Sequence, residues 1–270
     1  MGKQRMPINY LNRYERNTEM VHIIGAGCGA ADLITLRGKK HIEEADVIIY
    51  AGSLVNPEIL GYAKADCEIH DSGKMTLEEI VAVIEEAEKA GKTTVRIQSG
   101  DPSLYGAIGE QMREFDKLGI AYDITPGVSA FSGAAAALKT EYTLPDVSQT
   151  VIISRASGKT VVPDSENLRD LAAHGATMVL FLSTGLLPKV TEELIAGGYA
   201  PDAPAAIVYK ASWPDEKVFR CTVATLEETA KANGITKTAL ITVGGFLNSD
   251  FARSHLYHPD YPTEYREVTK

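Results

Sequence analysis

Short runs of β-branched and aliphatic residues alternate with segments of helical period along most of this chain, and that alternation restricts it to α/β folds. In the first half the strand-like runs fall at 21–24 (VHII), 47–50 (VIIY), 94–98 (TVRIQ) and 121–124 (AYDI). Between them, Thr76-Leu77-Glu78-Glu79 has the form of a capping box. It opens a helix with Ile80, Val81, Val83, Ile84 and Ala87 on its apolar side, and Gly91 stands where a helix-ending glycine belongs. Thr35 is the expected N-cap of a helix ending near Glu44, and a further helical pattern covers 107–118. The second half repeats the scheme, with strands expected at 150–153, 178–181, 205–209, 218–223 and 239–243 and a capping box at Thr225-Leu226-Glu227-Glu228.

The stretch KTEYTLPDVS at 139–148 keeps neither period, which predicts a linker between an α/β domain at 20–138 and another at 149–248. Two such domains side by side favour a ligand cleft between them. The polar residues 1–19 read as an N-terminal extension without the apolar core of a signal peptide, and residues 249–270 as a peripheral tail.

Charge narrows the function. The chain of 270 residues carries 27 Lys and Arg against 36 Asp and Glu, a formal net charge of -9, which argues against binding nucleic acid by neutralising phosphates. An anionic ligand must then meet a local basic patch. No apolar run approaches the ~20 residues that span a bilayer, so no membrane segment is expected. Cys28, Cys67 and Cys221 are odd in number and far apart, the pattern of reduced thiols in a cytoplasm.

The turn GAGCGA at 25–30 follows the first strand and loosely fits a dinucleotide fingerprint through Gly25, Gly27 and Ala30. Two features oppose a nicotinamide cofactor. Asp32-Leu33-Ile34-Thr35 separates the turn from the next helix, and Tyr50-Ala51-Gly52-Ser53 lacks the acidic residue expected after the second strand. Three other loops also follow strands, namely SGDPSLYG (99–106), TPGVS (125–129) and YKASWPDE (209–216). Loops in that position line the ligand crevice of an α/β sheet, and Gly100 and Gly127 allow a backbone to approach a ligand closely.

In order, GAGCGAADLIT, ADVIIYA, SGDPSLYG, TPGVSA and VYKASWPDEK resemble the tetrapyrrole methyltransferase family over roughly 21–247. The chain is most similar to the members acting on cobalt-precorrin-4, through DVSQTVIISRASGKTVVP and VYKASWPDEKVFR. The resemblance implies a fold of two α/β domains of the tetrapyrrole methylase type, a homodimer, and transfer of a methyl group from S-adenosylmethionine to C11 of cobalt-precorrin-4 or precorrin-4. In the family the first glycine-rich loop cradles no phosphate. This chain departs from the usual loop at Cys28, commonly Pro, and at Ala30, commonly Asp.

By motif position the resemblance assigns methyl-donor contacts to Cys28, Ser99, Gly100, Asp101, Leu104, Ser129, Ala130, Leu182, Ala211, Thr238 and Ala239. A precorrin bears several carboxylates, so Arg155, Lys159 and Lys210, just after strands, are the candidates to pair with them, and Tyr105 is a candidate wall or hydrogen-bond donor. Cobalt would arrive within the substrate, and no protein-bound metal is implied. No catalytic triad or nucleophilic cysteine with a partner is evident, and His22 reads as a core or hydrogen-bonded histidine. Another tetrapyrrole methylation, a nicotinamide-dependent oxidoreductase and a non-catalytic tetrapyrrole carrier are the competing readings.

Overall fold

The computed structural model describes residues 20–248, 251–258 and 260–267, so the extension expected at 1–19 lies outside the described residues. The chain divides into two compact units, one ending at Val128 and the other beginning at Ser129, with residues 28–30 grouped with the second.

The first unit is built from β1 (Val21–Gly25), α1 (Leu36–Glu44), β2 (Val47–Tyr50), β3 (Glu68–Asp71), α2 (Leu77–Lys89), β4 (Thr94–Gln98), α3 (Ile108–Leu118) and β5 (Tyr122–Thr125). The five strands pair in the order β3-β2-β4-β1-β5, every neighbour parallel. Parallel pairing requires crossovers that cover both faces, and the near-continuous apolar runs of β1, β2 and β4 follow from burial on both sides. Val21, Ile23, Val47 and Ile49 pack with Ile80, Ile84 and Phe115 of α2 and α3. Ile24, Ile48, Val95 and Ile97 pack on the opposite face with Ile42 of α1. Thr35 caps α1 through Gly38 N–H, and Thr76 with Glu79 forms the reciprocal capping box of α2.

The second unit comprises α4 (Ala130–Leu138), β6 (Val151–Arg155), α5 (Leu168–Ala172), β7 (Thr177–Phe181), α6 (Leu187–Ala196), β8 (Pro204–Tyr209), β9 (Lys217–Thr222), α7 (Leu226–Ala232) and β10 (Ala239–Val243). Its sheet runs β6-β7-β10-β8-β9, parallel only between β6 and β7. One face packs on Leu187, Val190 and Leu194 of α6 and Leu226 of α7. Val179, Ala206, Val208 and Leu240 pack on the other face against Ala134 and Leu138 of α4.

That packing corrects the domain boundary. The sequence put α4 in the first domain and a linker at 139–148, but α4 covers the second sheet and the following residues are fastened to the same unit. Thr140 Oγ1 donates to Phe246 O at 2.9 Å, Tyr142 OH to Phe131 O at 2.7 Å, and Thr177 Oγ1 to Tyr142 O at 2.9 Å. Loss of period marked an irregular segment, not a loose one. The capping box expected at Thr225 is also displaced. Its hydroxyl accepts from Thr222 N–H at 3.0 Å instead of capping α7. Among the described residues no helix is long and apolar enough to cross a membrane.

Candidate functional site

In the first unit β4, β1 and β5 are adjacent and parallel, so the loops leaving their C-terminal ends are neighbours. Gly27 and Gly100 form a short antiparallel bridge, with Gly100 N–H donating to Gly27 O at 2.9 Å. A Cβ on Gly25 would lie 2.5 Å from Gly100 O, and one on Gly127 only 2.1 Å from the same oxygen. Three backbones therefore meet with no room for a side chain. Gly27 and Gly100 also adopt left-handed φ of 84° and 61°, which L-residues adopt only at a cost. α1 begins at Leu36, well past the turn, so GAGCGA does not present a helix N-terminus to a pyrophosphate as a dinucleotide fold requires.

Asp101 ties two of these loops together. Its Oδ2 accepts from Gly127 N–H at 2.8 Å, while Oδ1 accepts from Ser103 N–H at 2.9 Å and from the Ser103 hydroxyl. Burial raises the carboxyl pKa, and these hydrogen bonds outweigh it, so the net shift is downward. The loop is held from beneath by Arg96 of β4, which is 4% exposed. Its Nε donates to Gln111 Oε1 at 3.0 Å, and Gln111 Nε2 donates to Ala107 O at 3.1 Å, where the loop enters α3. Burial lowers the Arg96 pKa to about 10. Neither residue was singled out from the sequence, though an arginine inside an otherwise apolar strand was a visible signal.

In the second unit β10 runs antiparallel to β7 and β8, so its N-terminal end lies at the edge where they end. Leu182 after β7, Lys210 and Ala211 after β8, and Thr238 and Ala239 at the start of β10 therefore share one edge. Leu182, Lys210, Ser212 and Thr238 have φ of 50°, 47°, 63° and 57°. Such backbone strain in non-glycine residues gathers at functional sites. Leu182 is also 59% exposed, so ordinary core packing does not account for it. Lys210 N–H donates to Thr238 O at 3.1 Å and Thr184 Oγ1 to Ala239 O at 3.1 Å, which fixes this edge.

Cys28 and Ala30 sit against the same unit. Ala30 N–H donates to Ser212 Oγ at 3.0 Å, and Cys28 Sγ lies 3.4 Å from that oxygen. A Cβ on Gly133 of α4 would be 2.9 Å from Cys28 Sγ, and one on Gly29 2.3 Å from Ala211 O. The thiol is thus a packed group. Ser129 and Ala130 stand at the start of α4, Ser129 buried as its N-cap without a side-chain capping bond.

The basic residues separate. Arg155 is spent on its own loop, Nη1 donating to Thr160 O at 3.0 Å and Nη2 to Val161 O at 3.0 Å. These bonds fix the orientation of the guanidinium and engage Nη1 and one Nη2–H, while Nε–H is not used by them. Lys159 is exposed. Lys210 pairs with Asp215 at 2.7 Å, a bond that raises its pKa, and its ammonium lies 4.9 Å from the Trp213 ring centre. Tyr105 is 43% exposed with φ 57°.

Comparison with known proteins identifies the family. Residues 20–227 match the family of tetrapyrrole (corrin/porphyrin) methylases, and the chain belongs to that family. It is 53% identical over 255 residues to a cobalt-precorrin-4 C(11)-methyltransferase of Methanocaldococcus jannaschii, a match covering 94% of this chain and 98% of that protein. The solved structure of a cobalt precorrin-4 methyltransferase of cobalamin biosynthesis is similar with a TM-score of 0.83 at 45% identity, covering 86% of this chain and 97% of the other. A uroporphyrin-III C-methyltransferase of Thermus thermophilus, solved with S-adenosylhomocysteine, is similar with a TM-score of 0.71 at 25% identity, covering 84% of this chain and 98% of the other.

Proposed function

We propose that this chain transfers a methyl group from S-adenosylmethionine to C11 of cobalt-precorrin-4, releasing S-adenosylhomocysteine, in cobalamin biosynthesis. The observation that carries the reading is 53% identity across nearly the whole of both chains with a relative so named.

The residues fit a small donor with polar ends and an apolar middle. The glycine junction at Gly25, Gly100 and Gly127 packs three backbones together where a side chain has no room and so sets the course of the loops that follow, and Leu104 and the exposed Leu182 offer apolar surface. Ser99, Gly100, Leu104, Ser129, Ala130, Ala211, Thr238 and Ala239 are the donor contacts of this reading, with Cys28 contributing its backbone. Asp101 acts by holding the loops in register. When bound, the donor supplies a methyl already activated on a sulfonium sulfur, so the protein needs no general base to create the electrophile. Its work is to hold the macrocycle carbon close and in line, which contributes several kcal/mol toward the barrier. Arg155, Lys159 and Lys210 are the cations this reading assigns to the substrate carboxylates, with Tyr105 beside the donor loop. The same reading places the enzyme in the cytoplasm as a homodimer.

The test is an anaerobic incubation of cobalt-precorrin-4 with ¹³C-methyl donor, followed by NMR assignment of the new carbon. Label at C11 supports the reading. Label at another ring carbon moves the protein to a sibling activity, and no label on any precorrin removes the catalytic reading.

A further inference from the structure

Three titratable side chains of the first unit take no part in the site described above. His22 lies in β1, Asp123 opposite it in β5, and His41 in the last turn of α1. His22 Nδ1 donates to Asp123 Oδ1 at 2.8 Å. The His41 ring stacks on His22 with centroids 3.9 Å apart and planes 23° apart. His41 Nε2 is buried without a hydrogen-bond partner, a condition native structures rarely leave unresolved. A ligating atom from each of the three lies within 4.8 Å of the others. The hydrogen bond accounts for His22 and Asp123, but not for a second imidazole laid against the first with a nitrogen unsatisfied.

We propose that His22, His41 and Asp123 form a binding site for a divalent transition-metal ion of the zinc type. Two imidazoles and one carboxylate suit zinc, whereas magnesium and calcium demand all-oxygen shells. The His22 and Asp123 side chains are 13% and 22% exposed, so an ion can enter and water can complete a tetrahedron. Stacked rings cannot both hold an ion in their planes, so loading turns one of them. His41 is the ring that turns, because His22 is anchored by Asp123. The ion takes the place of the proton between His22 and Asp123; that proton moves to His22 Nε2, and none need be released. Arg37 and Lys40 also act on His41 and oppose a cation there, which weakens the site relative to the same ligands without them.

Place in the fold defines the role. His22 and Asp123 are the second residues of their parallel strands, toward the end opposite Gly25 and Gly127. The ion therefore fastens edge strand β5 and the end of α1 to β1, away from the methyl-donor loops.

The test is zinc titration by calorimetry of the tag-free full chain, without tetrapyrrole. One zinc per chain at micromolar concentration is expected, with affinity reduced at least about 100-fold in His41→Ala and in Asp123→Asn. A His70→Ala/His255→Ala/His258→Ala variant should bind as the parent does, and S-adenosylhomocysteine binding should survive in His41→Ala, which also reports its folding. X-ray absorption of the zinc-loaded parent chain, a readout independent of any variant's stability, should show two imidazoles. No stoichiometric binding, undiminished affinity in a folded His41→Ala chain, or a spectrum without imidazole scattering overturns the proposal.

Discussion

The two units reach similar ends by different backbone means. In the first, parallel strands end in loops that meet through glycine, with Gly25 and Gly127 crowded around the Gly100 carbonyl oxygen and Gly27 N–H donating to it. In the second, a mixed sheet ends in Leu182, Lys210, Ser212 and Thr238, all forced into left-handed φ while keeping their side chains. Glycine removes the strain and lets backbones pack directly on one another, with Gly25, Gly27 and Gly100 themselves buried. A strained leucine or threonine offers a side chain at a cost of about 1–2 kcal/mol. The first unit is thus a surface shaped by close approach, and the second one that presents groups.

The largest expected effect comes from filling the glycine junction. In Gly127→Ala the new methyl meets Gly100 O at 2.1 Å and Gly25 Cα at 2.8 Å, and backbone on both sides cannot yield cheaply. Urea unfolding should show a loss of about 3 kcal/mol, and calorimetry a loss of S-adenosylhomocysteine binding. Gly185→Ala in the second unit, where nothing lies within 4 Å of the new methyl, should shift stability by less than about 0.5 kcal/mol. Equal effects at the two positions would break the contrast between the units.

Asp101→Asn should cost about 1–3 kcal/mol, since an amide cannot accept at both ends and leaves the Gly127 or Ser103 donors underserved. The sign with pH follows from its lowered folded pKa. Between the ordinary value of 3.8 and the lower folded value the unfolded chain binds more protons, so the carboxylate's contribution is complete above pH 3.8 and is lost as pH falls through that window. Stability of the parent and the Asn variant, measured from pH 7 downward, should therefore differ most at neutral pH and converge in acid. A constant difference would mean that the carboxylate charge is not what holds the loops.

How much of this was legible follows from the same contrast. Gly25, Gly100 and Gly127 stood out because glycine after an apolar run has few other meanings, and strand adjacency then brought them together. The capping box at Thr76 and the N-cap at Thr35 were readable because capping is local chemistry. The strain at Leu182 and Thr238 left no mark in composition, because it is imposed by neighbours across the sheet. Those positions came only from resemblance to the family. The α4 boundary was missed because AFSGAAAAL packs through small residues whose partners, such as Val179 and Leu240, lie far along the chain. His22, His41 and Asp123 share no ligand spacing and meet only through the pairing of β1 with β5 and the stacking of His41, from α1, on His22.

Leu182→Gly tests the strain directly. Relief of the left-handed leucine gains about 1–2 kcal/mol, while the added freedom of the unfolded glycine costs about 0.5–1 kcal/mol. With the side chain 59% exposed, little apolar burial is lost. The variant should be slightly more stable, by less than about 1 kcal/mol, and should bind S-adenosylhomocysteine more weakly. A more stable chain that binds as the parent does would make the strain incidental to the donor.

The smallest effect is expected at Cys28→Ser, where the residue groups with the second unit but leaves the first by a glycine turn. The thiol is 9% exposed, 3.4 Å from Ser212 Oγ and pressed against Gly133. Serine keeps the shape, can donate to Ser212, and loses the apolar contact of sulfur, for a net cost of about 1 kcal/mol. If the methyl passes directly from the donor to the macrocycle, no thiolate is needed, and kcat with labelled donor should stay within about twofold of the parent, a barrier change under about 0.5 kcal/mol. A folded Cys28→Ser protein that binds donor normally yet loses about 100-fold in kcat would put the sulfur in contact with the reacting atoms. The first loop would then be a chemical participant, and the division between a unit that shapes and a unit that presents would fail at the residue that joins them.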